Sequence, residues 1–250
     1  MTESRPQQAA RAPRLCVLID ADNVPVRHAE SIFREIARLG EASVRRVYGD
    51  WTADRLRKWH DKASAMGLVP DQQSSNTKGK NASDIGLVIS AMDYLHSGLF
   101  DGFVLVSSDS DFTRLAARIR EQGIDVYGIG EQKTPSAFRN VCNRFIYIEN
   151  IDAEEAPADP AAPERAPAQP ARDKAPAKDA IPLIVEAMRA IGEDEDWVSL
   201  GQIGQFISQA QPDFDTRSYG SAKLSDLIRK TGRFEIRKAS GNHWEVRDLA

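Results

Sequence analysis

A mostly parallel β-sheet covered by helices on both faces, tethered to a small winged-helix domain, is the architecture this sequence predicts. Three observations carry it. From about Leu15 to Ile151, short apolar runs alternate with amphipathic stretches of helical period. From Ala153 to Lys178, Ala, Pro and charged residues take over, with no aromatic or β-branched side chain to build a core. From Asp179 onward periodic apolar residues return, enough for a domain of about 70 residues. Strands separated by helices of about 10–15 residues predict a parallel sheet with both faces covered. The expected boundaries are therefore a disordered N-terminus over 1–13, an α/β domain over 14–152, a proline-stiffened linker over 153–178 and a winged helix over 179–250.

In chain order, "LCVLI" (15–19) is the first strand. Asn23 is placed to cap a helix with Pro25 in its first turn and Ile32, Ile36 and Leu39 on its inner face. "ASVRRVYG" (42–49) is the second strand, Thr52 to Met66 the second helix, and "GLVPDQ" a short third strand. A polar loop, "QSSNTKGKNAS", leads to a third helix carrying Ile85, Val88, Ile89, Met92 and Leu95 at helical spacing. "GFVLVSS" is the fourth strand, with a helix through Leu115 and Ile119 behind it. "IDVYGIG" and "FIYIENI" complete the sheet.

Composition excludes several classes. The 250 residues carry a formal charge of -4, so any surface for nucleic acid must be local. No apolar run approaches the roughly 18 residues of a membrane span, and "MTESRPQQAARAPR" lacks the apolar core of a signal peptide. Cys16 and Cys142 are the only cysteines, and Cys16, inside an apolar run, reads as a core thiol. A reduced, cytoplasmic setting without membrane contact is the expectation. No Gly-x-Ser-x-Gly elbow, Walker loop or dinucleotide fingerprint occurs. His28, His60 and His96 have no metal spacing and read as surface residues.

In parallel sheets ligands gather at the carboxyl ends of the strands. There the first strand ends in "DADN" and the fourth in "SSDSD". Asp20, Asp22 and Asn23 thus share a sheet edge with Asp109 and Asp111, and they converge if strands one and four are neighbours. Asp84, opening the third helix, borders the same crevice. Clustered carboxylates repel one another unless a cation neutralises them, and hard oxygen donors suit Mg²⁺ or Mn²⁺. Such ions polarise a phosphodiester and deliver a water for in-line attack. The bland alternative for Asp109, Asp111, Asp22 or Asn23 is helix capping.

"VLIDADNV", "KNASDIGLVISAMDYL" and "FVLVSSDSDFTRLAARIREQGIDVYGIG" resemble the NYN domain, a PIN-like (Rossmannoid) nuclease fold, in its LabA-like branch. The resemblance spans about Leu15 to Ile151 and implies RNA cleavage with a divalent metal. By match it carries over Asp20, Asp84, Asp109 and Asp111 as metal-holding catalytic residues, with Asn23 as a polar companion. One departure is Ser90, where relatives often carry a further Asp. Beside this site Lys78 and Lys80 flank Gly79 and are candidates for substrate phosphate, Lys80 also for transition-state charge. Arg114 is a further phosphate candidate, with Arg118, Arg139 and Arg144 extending a weaker track.

The C-terminal segment reads as three helices and a hairpin. Ile184, Val185, Met188 and Ile191 face inward on the first, and Ile203, Phe206 and Ile207 on the second. Gly232 ends the third. Phe234 and Ile236, then Trp244 and Val246, alternate about a Ser240-Gly241-Asn242 turn. Arg217 to Arg247 holds eight basic residues against three acidic ones, which singles out this helix and wing as a nucleic-acid face. Its candidates are Lys223, Arg229, Lys230, Arg237 and Lys238. "PDFDTRSYGSAKLSDLIRKTGRFEI" resembles the LOTUS, or OST-HTH, domain through Phe214, Tyr219-Gly220 and Lys223-Leu224. That resemblance implies RNA as partner, single-stranded or structured and including G-quadruplexes, and in some animal relatives a helicase. Phe214 and Tyr219 themselves read as core.

The expectation is a metal-dependent ribonuclease to which the winged helix recruits RNA; a homodimer is left open. Two rivals stand beside it. One is a non-catalytic RNA-binding regulator with a decayed site, motivated by Ser90. The other is a haloacid-dehalogenase-type phosphatase, from the Asp-x-Asp spacing of Asp20 and Asp22, although Asn23-Val24 departs from that family's continuation.

Overall fold

The structure, a computed structural model, describes residues 11–52, 54–72, 82–152, 174–192, 196–239 and 243–250. Most of the expected N-terminal tail and linker, Lys78, Lys80 and the 240–242 turn lie outside the described residues. Contacts divide the chain into two compact units, Met1–Cys142 and Asn143–Ala250.

The sheet is built from β1 (Arg14–Asp20), β2 (Glu41–Gly49), β3 (Val69–Gln72), β4 (Gly102–Val106), β5 (Asp125–Gly130) and β6 (Arg144–Tyr147) in the order β3-β2-β1-β4-β5-β6. The pairs β1–β2, β1–β4, β2–β3 and β4–β5 are all parallel. The helices between strands are α1 (Ala29–Leu39), α2 (Arg57–Met66), α3 (Ala82–Ser97), α4 (Thr113–Glu121) and α5 (Ser136–Val141). A short helix, α6 (Ile148–Asp152), comes after β6. The last predicted strand thus ends at Tyr147, and "IENI" coils instead.

β1 and β4 are central. Leu15 to Asp20 are wholly buried, as is every residue of β4. Such strands read as continuous apolar runs because helices cover both faces. Tight approach between elements demands glycine at Gly40, where an added Cβ would meet the Pro13 carbonyl oxygen at 2.4 Å. Gly67 closes α2 with φ +65°, a conformation that costs other residues energy.

Three details differ from the sequence reading. Asn23 caps nothing: a 3-10 turn at Val26–His28 starts after Pro25, and α1 begins only at Ala29. His28 is buried rather than on the surface. On α3 the buried hydrophobic residues are Leu87 and Ala91, while Ile85 and Ile89 are exposed. Ile85, Val88, Ile89, Met92 and Leu95 form one stripe of the helix, and the buried Leu87 and Ala91 lie to one side of it, so helical period alone does not say which residues pack inward.

The C-terminal core gathers Leu183, Ile184, Ala187 and Met188 from α7 (Ile181–Ile191). It adds Ile203 and Ile207 from α8 (Leu200–Ala210) and Leu227 and Ile228 from α9 (Leu224–Thr231). Val185, Ile191 and Phe206 pack against it, partly buried. A three-stranded sheet, β7 (Val198–Ser199), β8 (Phe234–Lys238) and β9 (Trp244–Asp248), is ordered β7-β9-β8 and antiparallel. Phe214 and Tyr219 pack on this core, 5.9 Å apart, as core aromatics. This is the winged-helix arrangement expected from the sequence.

Candidate functional site

In the order β3-β2-β1-β4-β5-β6 the chain reverses direction of build between β1 and β4, and their carboxyl ends flank the crevice. Ile19 pairs with Val106, so Asp20 emerges beside Ser107. The loop after β1 is fixed from three sides. Ala21 N–H donates to the Tyr48 carbonyl (2.9 Å), Val24 N–H to the Asp20 carbonyl (3.1 Å), and the Trp59 indole N–H to the Val24 carbonyl (2.7 Å).

Asp20 is the buried anchor, 1% exposed. Its Oδ1 accepts from Asp22 N–H (3.1 Å), and its Oδ2 accepts from Asn23 Nδ2 (2.6 Å) and Ser107 Oγ (2.9 Å). Burial pushes its carboxyl up; the Asn23 and Ser107 bonds pull it back, and Asp22 raises it again. Ser107 Oγ also accepts Asp109 N–H (3.1 Å), so one buried hydroxyl ties the end of β1 to the loop after β4. Asp109 Oδ1 accepts Asp111 N–H (2.9 Å) and caps the 3-10 turn Ser110–Phe112 ahead of α4. The capping role therefore belongs to Asp109, and Asp111 sits inside the turn.

α3 supplies the third side. Ser83 Oγ donates to Asp22 Oδ2 (3.0 Å). Asp84, in the first turn of α3, has its carboxyl pushed up to about 6. Burial is the largest cause, followed by the charges of Asp20, Asp109, Asp111 and Asp22. The structure thus brings Asp20, Asp22, Asn23, Asp84, Asp109 and Asp111 together at one sheet edge. Arg114 lies in the first turn of α4 and reaches none of these carboxylates by hydrogen bond or ion pair among the described residues. Arg118 pairs with Glu121 at 3.4 Å. Ser90 lies beside the buried Tyr48 hydroxyl instead of adding a carboxylate to the cluster.

Ser83 and Ser107 are site residues that the sequence reading missed. Ser107 had one legible signal: it is the first polar residue after a wholly apolar strand, two positions before an Asp.

Among the described residues no group of three or more His, Cys, Asp or Glu side chains stands at metal-ligating spacing. The donor set still fits a hard divalent cation in kind. It is all oxygen, it is acidic, and part of the rise of the Asp84 carboxyl, after burial, comes from neighbouring carboxylates whose repulsion a cation would relieve. Asp20 and Asp109 are meanwhile turned toward protein donors.

In the C-terminal unit the basic residues divide. Arg217 is bonded to Asp215 by two nitrogens, and Arg233 pairs with Asp248 at 2.6 Å. Arg237 pairs with Glu245 and Arg247 with Glu235, and both guanidiniums lie over the Trp197 ring, at 3.9 and 4.8 Å. Lys230 donates to the Gly220 carbonyl. Lys223, at the N-cap of α9, and Lys238, at the end of β8, are exposed. Arg229 is exposed too, with Asp226 at 3.4 Å.

This fold is that of a PIN-like domain. The NYN domain matches residues 14–149, more than half of the chain, and the protein belongs to the NYN family. The OST-HTH/LOTUS domain matches residues 172–246. Together they support a nuclease or RNA-binding role. A protein of unknown function from Vibrio parahaemolyticus is similar over 57% of this chain and 96% of its own, with 19% identity and TM-score 0.49. An uncharacterised protein from Nitrosomonas europaea is similar over 38% of this chain and 90% of its own, with 27% identity and TM-score 0.26. No curated protein matches the chain. No described helix is long and apolar enough to cross a membrane.

Proposed function

We propose that the N-terminal domain hydrolyses RNA phosphodiester bonds with a bound Mg²⁺ or Mn²⁺, and that the C-terminal domain recruits the RNA. One observation carries the reading: Asp84 is raised by burial first and then by the charges of Asp20, Asp109, Asp111 and Asp22, so five carboxylates share one crevice at the sheet's switch point. Asp20, Asp84, Asp109 and Asp111 would hold the ion, whose chemistry is to polarise the phosphate and lower the pKa of a bound water. Asn23 and Ser107 aim Asp20 by donating to Oδ2, and these bonds offset part of the rise that burial imposes on its carboxyl. Ser107 and the Asp109 cap hold the two strand ends in fixed register, which keeps the carboxylates preorganised. Lys78, Lys80 and Arg114 are the candidate phosphate contacts. In the C-terminal domain Lys223, Arg229, Lys230, Arg237 and Lys238 are the candidate RNA contacts, and tethering raises the local RNA concentration at the nuclease.

A non-catalytic RNA-binding regulator is the second reading. It is favoured by Ser90, which lies beside Tyr48 and contributes no carboxylate to the cluster. The NYN match lends no support to the phosphatase reading.

The test is incubation of purified protein with labelled single-stranded RNA and Mn²⁺ or Mg²⁺, beside an Asp109→Asn variant. Cleavage that disappears in the variant supports the nuclease. Binding without cleavage in both metals would sink it and leave the regulator.

A further inference from the structure

Two indoles lie near the wing, and their surroundings differ. Trp197 has two guanidiniums over its ring, each ion-paired to a glutamate, so its ring belongs to a neutralised network. Trp244 is 40% exposed and is the only aromatic among the exposed large hydrophobic residues of the described chain. It starts β9 on the same face as Val246, but the core stops at Val246, and the indole extends past its edge. Arg229 of α9 stands over its ring at 5.5 Å, and Lys238, exposed, is its cross-strand partner on β8. His243 precedes it, also exposed.

A single exposed apolar residue is ordinary. An exposed indole bordered by cations from a helix and from the neighbouring strand is a narrower combination. A nucleobase offers a flat π-face for the ring, and its flanking phosphates offer negative charge to Arg229 and Lys238. A paired base within a duplex has no free face to give.

We propose that Trp244 is a stacking site for an unpaired base of single-stranded RNA, with Arg229 and Lys238 holding the adjoining phosphates. The inference rests on the reading of the C-terminal domain as an RNA-recruiting module and gives that module a preference for unpaired strands. Trp197 takes no part, because both of its cations are held in close pairs with Glu245 and Glu235, at 2.8 and 2.5 Å, whereas Arg229 has only the longer, exposed pair with Asp226 at 3.4 Å.

The test uses the full chain in EDTA, so that no RNA is cut, with a labelled single-stranded oligoribonucleotide and its duplex. Trp244→Ala is expected to weaken single-strand binding about tenfold, and Trp244→Phe to keep it within about threefold. Duplex affinity should change by less than about twofold in either variant. Single-stranded RNA should quench an indole emission that Trp244→Phe lacks, a readout that stands even if Trp244→Ala folds poorly. Unchanged single-strand affinity in Trp244→Ala, equal losses for single strand and duplex, or the same quenching in Trp244→Phe would overturn the stacking site while leaving RNA recruitment intact. No binding of either RNA by the parent protein would overturn both.

Discussion

Ser107 shows how much one hydroxyl organises at the residue scale. It donates to Asp20 in a buried setting and accepts from the part-buried Asp109 backbone N–H. Ser107→Ala leaves that N–H and one Asp20 lone pair without these partners, at a cost of about 1–3 kcal/mol. Urea denaturation should register this loss, and RNA cleavage should fall with it as the two strand ends lose register. Asp84 gives the pH dependence. Its folded carboxyl lies near 6, above the ordinary value of about 4. Between those values the folded state holds a proton that the unfolded state has released, so Asp84's contribution to stability falls as pH rises through this window. Without metal, Asp84→Asn should therefore be more stable than the parent at about pH 7.5, and the difference should close toward about pH 4. At the proposed metal site Mn²⁺ would relieve the repulsion among these carboxylates, so it should raise the melting temperature more at about pH 7.5 than at about pH 5, and less in Asp109→Asn.

At the scale of elements, α3 is the test of packing against periodicity. Leu87 is 2% exposed and Ile85 is 61% exposed, although both are large aliphatic residues in one helix. Leu87→Ala should cost about 2–5 kcal/mol and Ile85→Ala within about 0.5 kcal/mol, both read by urea denaturation. β1 and β4 were legible because a strand buried on both faces needs an unbroken apolar run. The extent of β6 was not: "FIYIENI" has the composition of a strand, but coils after Tyr147 into α6. The start of α1 was also misplaced, because Asn23 has the chemistry of a cap but spends its amide on Asp20.

For the whole molecule, the proposed division of labour makes recruitment and chemistry separable. Lys223→Glu combined with Lys238→Glu should raise KM for RNA without lowering kcat, and the difference should shrink as salt screens phosphate contacts. Steady-state cleavage at two ionic strengths checks this. By itself the sequence determined the alternation of strands and helices, the carboxyl-edge position of Asp20, Asp109 and Asp111, and the winged-helix pattern. These come from local rules: hydrophobic period, turn chemistry and the appearance of polar residues where a buried strand reaches solvent. Only the tertiary structure decided that β1 and β4 are neighbours, that Ser107 joins Asp20 to Asp109, that Ser83 reaches Asp22, and which cations at the wing are already paired. Those facts depend on which distant residues pack side by side, and no local spacing encodes a contact between positions 20 and 107.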